Sequence, residues 1–388
     1  MAHAYIYDAV RTPFARHARA FSDVRPDDLA ATVMRAVVER VELDPARIDD
    51  VIFGDANQAG EDNRNVARFA ALLAGFPPTV PGVTVNRLCG SSVEAVIQGS
   101  RAIEEGDAQM ILAGGVESMT RAPFVIEKQA RPFPGANQPM WNTSIGWRMV
   151  NPALPSGWAI SNGESAEKLA QMFHLGRAEQ DEFAVRSHRL AAEAWAAGVY
   201  DREVVQVPAH ELVRDEGIRD DTTLESLAAL RPAFMQDGTV TAGNSSSLND
   251  GASAILLGAE GVIGREPLAR VTGRGVAGNE PDIFGIAPVE AANRALARAG
   301  RTWADVDFVE INEAFASQSL ACISLWPELD PERVNIHGGA IAMGHPLGAS
   351  GGRIIGHAAH ELKRRGGGVA VAAICIGVGQ GLAVVLEG

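Results

Sequence analysis

Apolar residues along the chain fall into short unbroken runs and longer stretches with helical spacing, the pattern of strands followed by helices. Residues 4–10 (AYIYDAV) predict an opening strand. Leu29, Val33, Ala36, Val37 and Val41 then recur at helical spacing behind a candidate cap at Asp27. The run 50–54 (DVIFG) predicts another strand, and 64–74 (RNVARFAALLA) a helix closed by Gly75 and the Pro77-Pro78 pair. The expected class is α/β.

The pattern also repeats in plan. Around Cys89 the order is strand (83–86), tight turn at Cys89-Gly90, helix (92–105), Gly106 and the strand AQMILAGG. Near the C-terminus GHPLGASG leads into a helix (350–365), Gly366 to Gly368 and the strand VAVAAICIG. Ser91 and Glu94 have capping-box spacing at the first of these helices, and Lys363-Arg364-Arg365 suit the negative end of the second. Between the repeats, 118–245 is rich in Pro, Gly, Trp and Asn as far as residue 163, becomes helical at 177–198, then carries the charged run RDEGIRDDTT. Such a region is expected to be an inserted loop domain covering a site built by the two repeated units.

With 388 residues, the chain is long enough for two domains, or for one duplicated unit with an insertion. A formal net charge of -14 and the lack of a long Lys/Arg run argue against nucleic acid as a partner. No apolar stretch reaches the roughly 18 residues of a membrane span, and the opening segment has no signal-peptide core, so a cytoplasmic location is expected. The cysteines Cys89, Cys322 and Cys375 are odd in number and sparse, which predicts reduced thiols, each needing its own explanation.

Cys89, in NRLCGSS, stands where a helix is expected to begin. The helix dipole and free backbone N–H groups there would lower its pKa from about 8.5, as a nucleophile requires. Taken alone, the fragment reads first as a small buried apolar cysteine. His345, in GHPLGASGG, occupies the matching place in the second repeat; a lone His before Pro is more often structural, but this equivalence favours an imidazole facing the thiol. Cys375, in ICIGVGQG, ends an apolar strand where Gly377, Gly379 and Gly381 allow close approach of ligand, and a second thiol there could shuttle a proton to and from carbon. A redox pair is the functional rival. A core cysteine describes Cys322, in LACISLW, far better. Asn312-Glu313 follow the strand VDFVEI, where an amide and a carboxylate could orient water or hold an oxyanion, although taken alone they read first as a cap or turn.

Together RTPF, NRLCGSS, AGGVESM, TAGNSSSLNDGAS, NEAFA, GGAIAMGHPLGASG and CIGVGQG resemble the motifs of the thiolase family over nearly the whole chain. The resemblance implies duplicated βαβαβαββ halves in a five-layered αβαβα sandwich, with 1–117 plus 246–268 as one half, 269–388 as the other and 118–245 as the loop domain. It implies an acyltransferase in which Cys89 takes the acyl group, Cys375 protonates or deprotonates the α-carbon, and His345 with a water on Asn312 binds the enolate-like oxygen. The N–H groups of Cys89 and Gly377 would form a second oxyanion hole. For CoA the matching positions are Arg219 and Ser226 near the adenine, Phe234, Ala242 and Ser246 along the pantetheine, and Phe315 near the thioester. Acyl-CoA and CoA enter as substrates; the family implies no metal, no tightly bound cofactor, and a homodimer or homotetramer.

Within the family, ANQAGEDNRNVARFAALLAGFP, SMTRAPFV and SIGWRMVNP are similar to 3-oxoadipyl-CoA thiolases, whereas LESLAALRPAF with GTVTAGN also resembles acetoacetyl-CoA thiolases. The chain departs from the family pattern at Ser161-Asn162 in place of His-Met, at His337 in place of Asn, and at Ser245 and Ser247 in place of Ala and Gly. These departures are expected on the acyl-pocket side, with Arg148 as the candidate cation for a distal carboxylate. The rivals are a condensing enzyme of the fatty-acid-synthase type, which needs no second thiol, and a catalytically silent acyl-CoA-binding protein. A Cys89–Cys375 disulfide is a further possibility, as an oxidative off-switch.

Overall fold

The computed structural model describes residues 3–133 and 135–388. The chain opens with β1 (Ala4–Arg11), β2 (Ala15–Arg16), α1 (Pro26–Arg40), β3 (Asp50–Gly54), α2 (Val66–Leu73), β4 (Gly82–Val85), α3 (Ser91–Glu105) and β5 (Met110–Ser118). The hairpin β6 (Phe124–Ile126) and β7 (Met140–Asn142) follows, then α4 (Asn162–Met172), α5 (Arg177–Ala196) and α6 (Leu224–Ala228). Next come β8 (Asn249–Gly258), β9 (Ala269–Gly278), α7 (Ala287–Ala299), β10 (Phe308–Ile311), α8 (Ala316–Ser324) and α9 (Ala340–Met343). The chain ends with α10 (Leu347–Arg365), β11 (Val369–Ile376) and β12 (Gln380–Glu387).

The main sheet runs β10-β11-β12-β9-β1-β8-β5-β3-β4, with β2 added beside β8. Its central strands are apolar on both faces, and each face has a different helical neighbour. In β5, Met110, Leu112 and Val116 pack outward with Leu29, Val33 and Val37 of α1 and Val66 of α2. Ile111 and Ala113 pack the other way, against Val93, Val96 and Ile97 of α3. The same division occurs in β11, where Ala370, Ala372 and Ile374 face Ile354, Ile355 and Leu362 of α10. Val371 and Ala373 face Ala291 and Leu296 of α7 and Trp326 just beyond α8. Uninterrupted apolar runs are what doubly covered strands require. The two halves of this one sheet, joined where β1 pairs with β9, enclose α3 and α10, so the layers run α1/α2, sheet, α3/α10, sheet and α7/α8, the five-layered αβαβα arrangement expected from the sequence.

The two central helices meet at their beginnings. Ser92 Oγ accepts the Gly352 N–H at 2.9 Å. A Cβ on Gly351 would stand 2.5 Å from Val93 Cγ2 and 2.7 Å from Val93 N, so only glycine lets the backbones approach this closely. Local details differ from the sequence expectation. α1 starts at Pro26 with Arg25 as its cap residue, and Asp27 instead holds Arg25 through two hydrogen bonds at 2.9 and 2.8 Å. At α3 the cap position is Gly90, and Ser91 makes no capping box: its Oγ accepts from Arg87 N at 2.9 Å and donates to Leu88 O at 2.6 Å. Those bonds secure the turn before the helix rather than the helix end.

β5 pairs with β8 from Met110↔Gly258 to Ser118↔Asp250, so the segment between them leaves and rejoins the sheet at one place, the carboxyl end of β5. A buried bidentate pair, Arg11 to Asp215 at 2.7 and 2.9 Å, ties that segment to β1.

Candidate active site

Cys89 sits in the single turn Leu88–Gly90 between β4 and α3. Leu88 holds φ +46°, a left-handed conformation that a branched residue adopts only under constraint. Asn86 Oδ1 accepts its N–H at 2.9 Å and keeps it there. The thiol is 7% exposed, and burial pushes its pKa up to about 11, with a smaller lowering from the Gly377 N–H and a further rise from the Glu117 carboxyl. The depressed pKa expected from a helix N-terminus is thus corrected: α3 begins two residues later, and desolvation outweighs the dipole. The free enzyme should hold Cys89 as a thiol. An ultraviolet thiolate titration of wild type minus Cys89→Ala is expected to show absorbance rising only above about pH 10; a midpoint below pH 8 would contradict this.

His345 supplies the imidazole packed beside Asn312. It stands two residues before α10, with its backbone N–H held by Asn249 Oδ1 at 2.9 Å. Ser350 Oγ donates to the Pro346 carbonyl at 2.8 Å and lies 2.6 Å from His345 Nδ1. A carbonyl only accepts, so the single hydroxyl proton points to Pro346 and Ser350 accepts from Nδ1–H, which leaves the lone pair on Nε2. Burial, reinforced by the Arg353 charge, holds the imidazole pKa down at about 3. The ring is neutral at physiological pH. Asn312 Nδ2 lies 3.4 Å from Nε2 and 3.5 Å from Nδ1, while its buried Oδ1 has no partner.

Cys375 lies near the end of β11, 1% exposed and paired with Gly381 across the β11–β12 ladder. Burial raises its pKa well above that of an ordinary thiol, and the neighbouring Cys89 raises it further. It packs with Phe315, Phe284, Val240 and Ala166. The next two residues follow: Ile376 lies against Gly90, and the Gly377 N–H lies near enough to the Cys89 sulfur to lower its pKa. The Trp147 ring covers Gly377, 3.0 Å from where a Cβ would stand.

The structure thus brings Cys89, Cys375 and Gly377 into one neighbourhood, puts His345 beside Asn312, and packs α10 against the Cys89 turn. Glu313 is not part of it. Its carboxylate is taken up by Ser187 Oγ at 2.7 Å, Asn335 Nδ2 at 2.7 Å and Ile341 N at 3.1 Å. Cys322 is a core thiol whose Sγ donates to the Gly285 carbonyl at 3.2 Å. All three cysteines are free thiols.

Toward the insertion, Phe315 and Phe234 meet edge to face at 6.0 Å, and the Phe234 ring rests on Gly163. Ser246 is bonded to the Ala314 carbonyl, whereas Arg219, Ser226 and Ala242 are exposed. Of the departures from the family pattern, Ser247 Oγ donates to Asn249, which holds His345, and Ser245 bridges Phe315. His337 lies elsewhere, contrary to expectation: its Nδ1 is 3.0 Å from His357 Nε2, in a buried cluster with Glu203.

Glu117, Asn249, Ser350 and Trp147 also belong to this neighbourhood, although little in the local sequence marks them as site residues. Glu117 accepts from Ala56 N at 3.0 Å and Gly348 N at 2.9 Å, tying β5 to the first turn of α10, and burial lifts its pKa to about 7. A carboxylate at the end of an unbroken apolar run was the available signal. Among the described residues no group of three or more His, Cys, Asp and Glu side chains could hold a metal ion.

Comparison with known proteins gives the family. The family model for the thiolase N-terminal domain matches residues 4–261, and that for the thiolase C-terminal domain residues 265–388. The chain belongs to the thiolase family. It is an acyltransferase, catalysing CoA-dependent cleavage of a 3-oxoacyl-CoA or the reverse condensation. It is 47% identical to the 3-oxoadipyl-CoA/3-oxo-5,6-dehydrosuberyl-CoA thiolase of Escherichia coli K12, over 100% of both chains. It is 46% identical to a β-ketoadipyl-CoA thiolase of Pseudomonas putida, again over 100% of both. Among solved structures it matches the Bacillus anthracis acetyl-CoA acetyltransferase with TM-score 0.93 at 38% identity. It also matches human mitochondrial 3-ketoacyl-CoA thiolase in complex with CoA, with TM-score 0.92 at 37% identity; each match covers 100% of this chain and 99% of the other.

Proposed function

We propose that the protein cleaves 3-oxoadipyl-CoA, or a closely similar 3-oxo diacid thioester, with CoA. The curated relatives above support this substrate, and the observation that carries the chemistry is the pair of buried neighbouring thiols, Cys89 and Cys375, with Gly377 beside them.

His345 Nε2 takes the Cys89 proton as sulfur attacks the ketone carbon. The resulting Nε2–H, with a water held by Asn312, then donates to the enolate-like oxygen. As the C2–C3 bond breaks, the electron pair passes to the α-carbon of the leaving acetyl-CoA enolate, and Cys375 protonates it. The second half returns the acyl group to CoA. The proton on His345 passes to the Cys375 thiolate and resets it; the freed imidazole then takes the CoA thiol proton as CoA sulfur attacks the Cys89 thioester, and gives it to Cys89 as that sulfur leaves. The N–H groups of Cys89 and Gly377 hold the tetrahedral oxyanion, and such a donor contributes on the order of 10²–10³ in rate. Two thiols suit this traffic because burial keeps both protonated at rest, so no permanent charge has to be desolvated.

Phe315 and Phe234, with Ser246 and Ala242, line the pantetheine arm, while Arg219 and Ser226 meet the adenine end in the exposed part of the insertion. The same reading takes 118–245 as the domain covering the site, 1–117 plus 246–268 and 269–388 as the halves, a homodimer or homotetramer as the assembly, and the cytoplasm as the location. In a CoA-dependent cleavage assay, kcat/KM for 3-oxoadipyl-CoA should exceed that for acetoacetyl-CoA about 10-fold or more. Equal values would remove the diacid from this reading and leave the reaction intact.

A further inference from the structure

We infer that Arg148 binds the distal carboxylate of the 3-oxo diacid substrate. The inference rests on the substrate reading above and adds the residue that enforces it. Arg148 is half-buried beyond β7, and its guanidinium makes one long hydrogen bond, from Nη2 to Asn57 Oδ1 at 3.3 Å. No carboxylate among the described residues comes within ion-pair distance of it. Arg25, Arg87, Arg121, Arg177 and Arg274, also half-buried, each hold one, whereas Arg16 and Arg68, like Arg148, do not. Four of its five N–H donors therefore remain for a ligand.

Its neighbours lead back to the Cys89 turn. The preceding residue, Trp147, is anchored by Nε1 on the Ile160 carbonyl at 3.0 Å and lays its ring over Gly377, whose N–H lies near the nucleophile. Asn162 Oδ1 approaches the same glycine, 3.4 Å from a built Cβ. Asn57, which receives Arg148, follows β3 and is fixed by Thr143 Oγ1 at 2.9 Å. The neighbouring Ala56 carbonyl accepts from Asn86 Nδ2 at 2.9 Å, just before the Cys89 turn. Arg148 thus stands on the rim shared by the Cys89 turn and the tryptophan.

After cleavage the acyl group on Cys89 carries a carboxylate at the end of a short methylene arm. An indole face suits the methylenes. The carboxylate, once desolvated, requires a cation, and a planar guanidinium offers it a two-pronged bond.

The test compares 3-oxoadipyl-CoA with 3-oxohexanoyl-CoA, which has the same length and ends in methyl, in CoA-dependent cleavage by the full chain. Arg148→Met should lower kcat/KM on the order of 10²-fold for the diacid and by less than about 3-fold for the neutral substrate, and Arg148→Lys should recover part of the loss. Equal losses on both substrates would make Arg148 a post for Asn57, and no loss on either would take it out of the pocket; both results overturn the inference. The wild-type ratio of the two substrates tests the substrate reading separately, since the variant-to-wild-type ratio on the diacid decides Arg148 whichever substrate wild type prefers.

Discussion

Cys89→Ala is expected to lower kcat for CoA-dependent cleavage on the order of 10⁴–10⁶-fold, the loss seen when a covalent nucleophile is deleted from a cooperating set. No other side chain can replace it. Cys375 points into the aromatic cluster with Phe315 and Phe284, and Cys322 is bonded into the core at Gly285. The fold should survive, because removing one small sulfur costs about 1 kcal/mol and the turn is held by Asn86, Ser91 and Arg87 rather than by the thiol. Melting temperature and CoA affinity serve as controls. A residual rate within about 100-fold of wild type would mean that acyl transfer does not pass through this residue.

Cys375→Ala should separate the two halves of the reaction. Carbon–carbon cleavage needs a proton delivered to the enolate carbon, and losing a positioned acid costs about 10²–10⁴-fold. In the proposed mechanism, transfer of an acyl group between CoA and Cys89 draws on His345 and the N–H groups of Cys89 and Gly377 and not on Cys375, so acetyl exchange should continue near the wild-type rate. Cys375→Ser tests the acid itself: a hydroxyl keeps the shape but is a much weaker acid than a thiol, so cleavage should stay suppressed. Equal losses in exchange and cleavage would place Cys375 in the packing of the site instead of in its proton transfer.

Much of this was legible in the chain. Both repeats were readable from unbroken apolar strands, tight glycine turns and helical faces, because strands covered on both sides must be apolar throughout, as β5 and β11 are. Cys89 and His345 stood out at glycine-rich turns just before a helix, and Cys375 at the end of an apolar strand followed by glycines. The thiol's acidity was not legible. Helix position argued for a lowered pKa, and only the packed surroundings reveal that desolvation wins. Asn249, Ser350 and Glu117 went unseen for a related reason: each acts on a residue or backbone group brought to it by the fold, and a polar side chain in an apolar run does not name its distant partner. His337 showed the opposite error, a departure in sequence that points away from the pocket into the cluster with His357 and Glu203.

Intact-mass analysis of Cys375→Ala incubated with acetyl-CoA tests the division of labour between the thiols most directly. The account predicts a single added acetyl group, localised by peptide mapping to Cys89 and discharged by free CoA, in a protein that no longer cleaves 3-oxoacyl-CoA. An unlabelled Cys89, or acetyl found on another residue in a variant that still breaks the carbon–carbon bond, would contradict it.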